Sequence, residues 1–355
     1  MAAWTWLIPA FSLALLIGGI VAGVGSLLAL ACTAVLMAAV VTAVHHAEVV
    51  AHRLGEPFGT LVLAVAVTVI EVSLILSIML AGGPDAAALP RDTIYAAVMI
   101  ICNGVVGLCV LVGGLAHHEQ SFRVEGASAG LAALIALSAL ALVLPVFTIT
   151  TPGPMYNTAQ LEFAAVTSAV LWAVYVFIQT VRHREYFLPP NDATVPEAHA
   201  EPPTSLKAWV SFGLLVVSLV AVVGLAKLIS PFIEQAVAKA GAPKAVIGIV
   251  IAMLVLLPET WAAVRAAHAN RLQTSMNLAL GSALASIGLT IPVVAVASIV
   301  LEIPLVLGLD PKGLVMLALT FLLAAVTLGT GRTHIMQGAV HLVVFAAFLF
   351  LAFVP

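Results

Sequence analysis

The chain has 355 residues, 63% of them hydrophobic and only 8% charged, and its formal net charge is −3. Soluble domains carry about half apolar and a quarter charged residues, so a water-soluble globule is excluded, in keeping with a mean hydropathy of +1.20. The near-neutral balance offers no basic field for nucleic acid, and at about 20 residues per crossing the apolar content suffices for about eleven membrane spans.

In chain order, apolar runs long enough to span fall at 5–22, 26–44, 58–82, 93–115, 128–148, 160–181, 208–229, 244–268, 275–300, 313–329 and 335–353. Helices are expected for all of them, because every backbone group in lipid needs a partner within its own segment and no strand-like alternation is present. The first run follows Met1-Ala-Ala-Trp-Thr-Trp, without the positive flank of a secretory signal, and reads as a retained helix. Cys32, Cys102 and Cys109 lie inside apolar runs and read as packing residues rather than a disulfide frame or zinc set. The long polar stretch 183–207, rich in Pro and Ala, reads as a flexible linker.

Positive charge sets the expected orientation. With eleven spans, eight basic residues fall on the side of the N-terminus: Arg53, Arg123, Arg182, Arg184, Lys207, Arg265, Arg271 and Arg332. Five fall on the other: Arg91, Lys227, Lys239, Lys244 and Lys312. The excess places the N-terminus in the cytoplasm and the C-terminus outside.

The third and eighth runs resemble each other. The third opens with Gly55-Glu56-Pro57 and carries Glu71 fourteen residues after the proline; the eighth opens with Gly241-Ala242-Pro243 and carries Glu259 sixteen residues after its proline. At about 1.5 Å per residue, both carboxylates sit about 20 Å along their helices, near mid-membrane. The two runs are five apart in order, so they cross in opposite directions. The predicted organisation is therefore an N-terminal helix (1–22), a five-helix repeat (26–182), a cytoplasmic linker (183–207) and an inverted five-helix repeat (208–355). Inverted repeats with a midplane site are a transporter architecture.

An ionised carboxylate at that depth costs several kcal/mol, so such a residue is functional by default. A protonated Glu bonded to a neighbouring helix is the structural alternative, and two Glu at matching repeat positions argue against it. Pro258 removes a backbone donor and frees the carbonyl near Leu254, either for a bound cation or as a simple kink. The next run of each repeat adds neutral oxygens: Asn103 in one, Asn277, Ser282, Ser286 and Thr290 in the other, with the last three on one helical face. The glycines and alanines among them suit close packing. Before the third run, His45, Glu48 and His52 share a helical face, with His46 and Glu56 nearby. That cluster is either a polar rim or a cytoplasmic proton-access and pH-sensing group.

Two stretches, His46-Ala-Glu-Val-Val-Ala-His52-Arg-Leu-Gly-Glu-Pro-Phe-Gly and Val69-Ile-Glu71-Val-Ser-Leu, resemble the bacterial calcium/cation:proton antiporters. So do Asn277-Leu-Ala-Leu-Gly-Ser-Ala-Leu-Ala-Ser-Ile-Gly-Leu-Thr-Ile-Pro292 and Gly329-Thr-Gly-Arg-Thr333. The resemblance, to the proton-coupled branch of the calcium/cation exchanger superfamily, implies ten core helices in two inverted repeats, alternating access, and one essential Glu per repeat, matching Glu71 and Glu259. The superfamily's Gly-Asn before each Glu is replaced here by Val67-Thr68 and Val255-Leu256, which leaves Thr68 as the nearby oxygen.

The expectation is an all-α polytopic membrane protein of the bacterial inner membrane, not an enzyme. It exchanges a cation for protons, with Glu71 and Glu259 holding either in competition. Calcium is the first candidate ion, with sodium or potassium the alternative, and a cation channel the rival of a different class. Thr68, Asn103, Asn277, Ser282 and Ser286 are expected as supporting ligands or packing residues. No cofactor is expected, and the partners are the lipid bilayer, cations and protons.

Overall fold

A computed structural model describes residues 3–23, 25–54, 58–82, 86–189 and 203–354. Among the described residues each expected run becomes a helix, in the order α1 (Trp4–Ala22), α2 (Ser26–Leu54), α3 (Phe58–Gly82), α4 (Leu89–Met99) continuing through a π turn (Ile100–Val105) into α5 (Val106–His117), α6 (Val124–Ser138), α7 (Thr158–Phe177), α8 (Ser205–Lys239), α9 (Ala245–His268), α10 (Leu272–Leu301), α11 (Pro311–Leu328) and α12 (Ile335–Phe353). Counting α4–α5 as one, ten of these are long and apolar enough to cross a membrane, and α3 contributes a shorter apolar segment, Val65–Ser77. The protein is a predominantly helical integral membrane protein.

The helices gather into two compact units that interleave the chain, one from within residues 1–86 and 197–247, the other from within 87–196 and 248–355. In the first unit α2 lies along α8, with α1 and α3 also packed on both. On α3, Val65, Val69 and Leu80 are exposed, while Ile70, Leu74 and Ile75 are buried. Where the sequence suggests that the second span stops at 44, α2 runs on to Leu54. Nothing in His45–Arg53 breaks a helix, and polarity marks only where it leaves the apolar layer.

In the second unit α10 packs on α7 and α6, and α12 packs on α5. Helix starts follow their caps: Asn157 and Gln160 form a capping box at α7, and Asp310 accepts from Gly313 N at 2.7 Å beside Pro311 at α11. α6 ends in a second π turn, Ala139–Val143, and a 3-10 turn holding Pro145. Tyr156, in the following loop, donates to Leu140 O at 2.7 Å, and burial pushes its phenol up to about 12, so it stays a donor at neutral pH. A two-residue antiparallel pair, β1 (Gln120–Ser121) with β2 (Arg332–Thr333), ties the end of α5 to the start of α12. In the stretch expected to be a flexible linker, Arg184–Phe187 form a 3-10 turn with Phe187 buried, and residues 190–202 lie outside the described residues. Cys32, Cys102 and Cys109 are free thiols and all buried, as packing residues should be.

Candidate functional site

Each unit places one of the two expected carboxylates. In the first, Glu71 sits midway along α3 with 2% of its surface exposed, and Thr68, one turn earlier on the same face, is equally enclosed. The histidine cluster falls at the polar end of α2 and divides by burial. His46 is enclosed, its Nε2 donating to Thr5 O at 2.7 Å, while His45 is half-buried against the Trp4 ring, with centroids 5.1 Å apart. Glu48 and His52 are exposed, and Arg53 Nη2 donates to Ser205 Oγ at 2.9 Å. His46 therefore pins α1 to α2, rather than sharing the face of His45, Glu48 and His52. Glu56 lies outside the described residues. Among the described residues, no group of three or more His, Cys, Asp or Glu is placed to hold a metal ion.

In the second unit Glu259 is half-buried on α9 and faces a small cavity. The walls are Ile101 and Val105 of the π-turned helix, Leu256, Glu259 and Thr260 of α9, and Ala279 and Ser282 of α10. Its volume of about 10 Å³ is on the scale of a single water-sized occupant. Thr260 Oγ1 is spent on Leu256 O at 2.7 Å, the ordinary bond of a helical threonine to the preceding turn. Ser282 Oγ is buried and has no hydrogen-bond partner, which leaves one hydroxyl oxygen available beside the carboxylate. α10 is fixed on α9 by Ser275 Oγ, which donates to Ala263 O at 2.6 Å. A mostly apolar wall with one carboxylate and one unspent hydroxyl can hold a proton on the Glu or a small desolvated cation against it.

The two asparagines expected as supporting ligands or packing residues bond to neighbouring elements outside the cavity lining. Asn277 Nδ2 donates to Phe187 O at 2.6 Å and its Oδ1 accepts from Gln273 Nε2 at 2.9 Å, so it docks the start of the interhelical stretch. Asn103 Nδ2 donates to Thr320 Oγ1 at 2.8 Å, and its Oδ1 lies 3.2 Å from His341 Nδ1. Of the hydroxyl row on α10, Ser282 faces the cavity, whereas Ser286 and Thr290 are buried outside its lining. Of the glycines expected to allow close packing on α10, Gly288 does so, since a β-carbon there would lie 2.7 Å from Trp172 Cβ, whereas Gly281 meets nothing within 4 Å.

Sequence reasoning passed over His341, Thr320, Thr327 and Gln273. His341 could have been found as an ionisable residue inside the last apolar run, a signal as strong as the one used for the two glutamates. The others are polar residues whose partners lie on distant segments, and no local pattern gives those.

The chain belongs to the sodium/calcium exchanger protein family, whose pattern matches residues 22–181 and 210–354. Over 355 residues, 99% of this chain and 96% of its counterpart, it is 48% identical to "Putative ionic transporter y4hA" of Sinorhizobium fredii. It is 36% identical over 314 residues to the sodium-potassium/proton antiporter ChaA of Escherichia coli (strain K12), covering 87% of this chain and 84% of that one. The fold is that of native YfkE, with a TM-score of 0.75 at 19% identity over 99% of this chain and 100% of the other.

Proposed function

We propose that this protein is a secondary antiporter exchanging a cation for protons, with Glu71 in one unit and Glu259 in the other each alternating between a proton and the cation. The observation that carries the reading is the enclosed carboxylate: Glu71 at 2% exposure inside an apolar helix, and Glu259 on an apolar cavity. Burial raises a carboxyl pKa and a bound cation lowers it, so proton and metal exclude each other at one oxygen pair. That exclusion couples the two flows without any covalent step.

Sodium, potassium and calcium are all candidate cations. Calcium takes six to eight oxygen ligands, and the commitment of Asn103 and Asn277 removes two amide oxygens from the expected supply. The relative at 36% identity is named for sodium and potassium. Calcium, first in the sequence reading, stays a candidate beside them, since relatives at 24% and 27% identity are named as Ca2+/H+ antiporters. The two inverted repeats, the bacterial inner membrane and a cytoplasmic N-terminus belong to the same proposal, supported by the paired Gly-x-Pro…Glu segments and the charge split.

The test is proton flux in sealed vesicles driven by sodium, potassium and calcium in turn. Wild type should show saturating, proton-coupled exchange that weakens at acid pH. Glu71→Gln and Glu259→Gln keep the shape of a protonated Glu and cannot release a proton. Each should abolish exchange while leaving the protein inserted. Near-wild-type exchange in either variant would remove that carboxylate from the mechanism, and ion flux without proton counterflow would make the protein a channel.

A further inference from the structure

The second unit encloses a titratable side chain that the exchange scheme leaves unused. His341, on α12, has no exposed surface, and both ring nitrogens are engaged. Nε2 lies 3.0 Å from Thr327 Oγ1 on α11, and Nδ1 lies 3.2 Å from Asn103 Oδ1. The direction of the chain follows from its far end. Thr320 Oγ1 donates to Met316 O at 2.8 Å and accepts from Asn103 Nδ2 at 2.8 Å, so the remaining amide atom of Asn103 is an acceptor. His341 Nδ1 therefore carries the proton, and Nε2 accepts from the Thr327 hydroxyl. Thr327, His341, Asn103 and Thr320 form one satisfied relay joining α11, α12 and the π turn.

The relay exists because two helices touch. A β-carbon at Gly107 of α5 would lie 2.9 Å from His341 Cβ, and one at Gly338 of α12 would lie 2.6 Å from Leu111 N. Backbone approach of that kind needs glycine, and it lays the imidazole beside the π turn. A π turn is a rare insertion in an α-helix, found mostly as a single turn and frequently at functional sites. Asn103 sits inside this one, between Ile101 and Val105, and those two side chains form a wall of the Glu259 cavity.

We propose that His341 is a positioning residue for ion exchange: through Asn103 it locks the π turn in the register that presents Ile101 and Val105 to the Glu259 cavity. The proposal rests on Glu259 being an exchange site. It predicts an effect on cation half-saturation rather than on maximal rate, because the relay shapes the cavity and touches neither proton nor cation.

The experiment is exchange in proteoliposomes at fixed protein content, with NaCl, KCl or CaCl2, whichever gives the largest wild-type signal. His341→Leu keeps the bulk and loses both hydrogen bonds. It should raise the half-saturating concentration about five- to tenfold, the worth of one buried hydrogen bond in an equilibrium, with the maximal rate little changed. His341→Asn keeps a donor at the Nδ1 position and should return the value to within about twofold of wild type. Asn103→Leu should shift it as His341→Leu does, and the double variant no further than either alone. Should the leucine variant fail to insert, His341→Gln, which lacks a donor at that position, takes its place. Wild-type half-saturation in the donor-less variant, or equal shifts with and without the donor, overturns the proposal. Glu259→Gln in the same liposomes separates the two claims. If it exchanges normally, the ion-site reading fails; if it is dead beside a donor-less His341 variant of wild-type half-saturation, only the positioning role fails.

Discussion

Ser282 and Asn277 stand five residues apart on α10 and carry opposite expectations. The Ser282 hydroxyl faces the cavity and makes no hydrogen bond, so Ser282→Ala removes no internal partner and should leave thermal stability unchanged or slightly raised. If that oxygen serves the cation, half-saturation should rise about two- to tenfold, the span of one net hydrogen bond. Asn277→Ala strands the Phe187 carbonyl and the Gln273 amide, and should cost about 1–3 kcal/mol of stability while leaving half-saturation where it was. Melting curves in detergent and cation titrations on the same two samples check both, and an exchange of phenotypes would reverse the assignment. The sequence marked both residues as polar positions in a span, and that much was legible. Which one reaches the cavity depends on whether a neighbour's carbonyl lies within reach, as that of Phe187 does, and helical periodicity carries no such information.

Among elements, the eleven apolar runs translate directly into helices because hydropathy and backbone satisfaction leave a lipid-embedded segment no other structure. Less legible were the interruptions and extensions. The π turn at Ile100–Val105 has no composition of its own, and α2 outruns its apolar stretch to Leu54. Glycine roles were equally hidden, since packing is decided by what lies opposite. Gly338→Ala would drive a β-carbon to 2.6 Å from the Leu111 backbone nitrogen, where only separation of α5 from α12 gives relief. A loss of about 2 kcal/mol or more is expected, within the range for overpacking a tight crossing. Gly281→Ala meets nothing within 4 Å and should instead gain up to about 1 kcal/mol from helix propensity. Heat-aggregation midpoints of the two variants should move in opposite directions; movement of both downward would mean that α10 is packed at Gly281 after all.

For the whole molecule, eleven crossings would put the two ends of the helical set on opposite faces, with the loop after α6 outside and the one after α5 inside, on the orientation argued from charge. Ile149, 96% exposed after α6, and Glu119, exposed after α5, sit in those two loops. Enclosure of Cys32, Cys102 and Cys109 has a practical consequence here. A buried thiol is out of reach of a charged reagent in water, so the unmodified chain should stay dark to a membrane-impermeant maleimide. A single cysteine can then be added to the natural sequence without first removing the other three. In intact cells Ile149→Cys should label and Glu119→Cys should not, whereas after lysis both should. Labelling of Glu119→Cys alone in intact cells would invert the orientation. Three inert sulfurs, conserving nothing but volume, thus leave the protein ready-made for mapping its own sidedness.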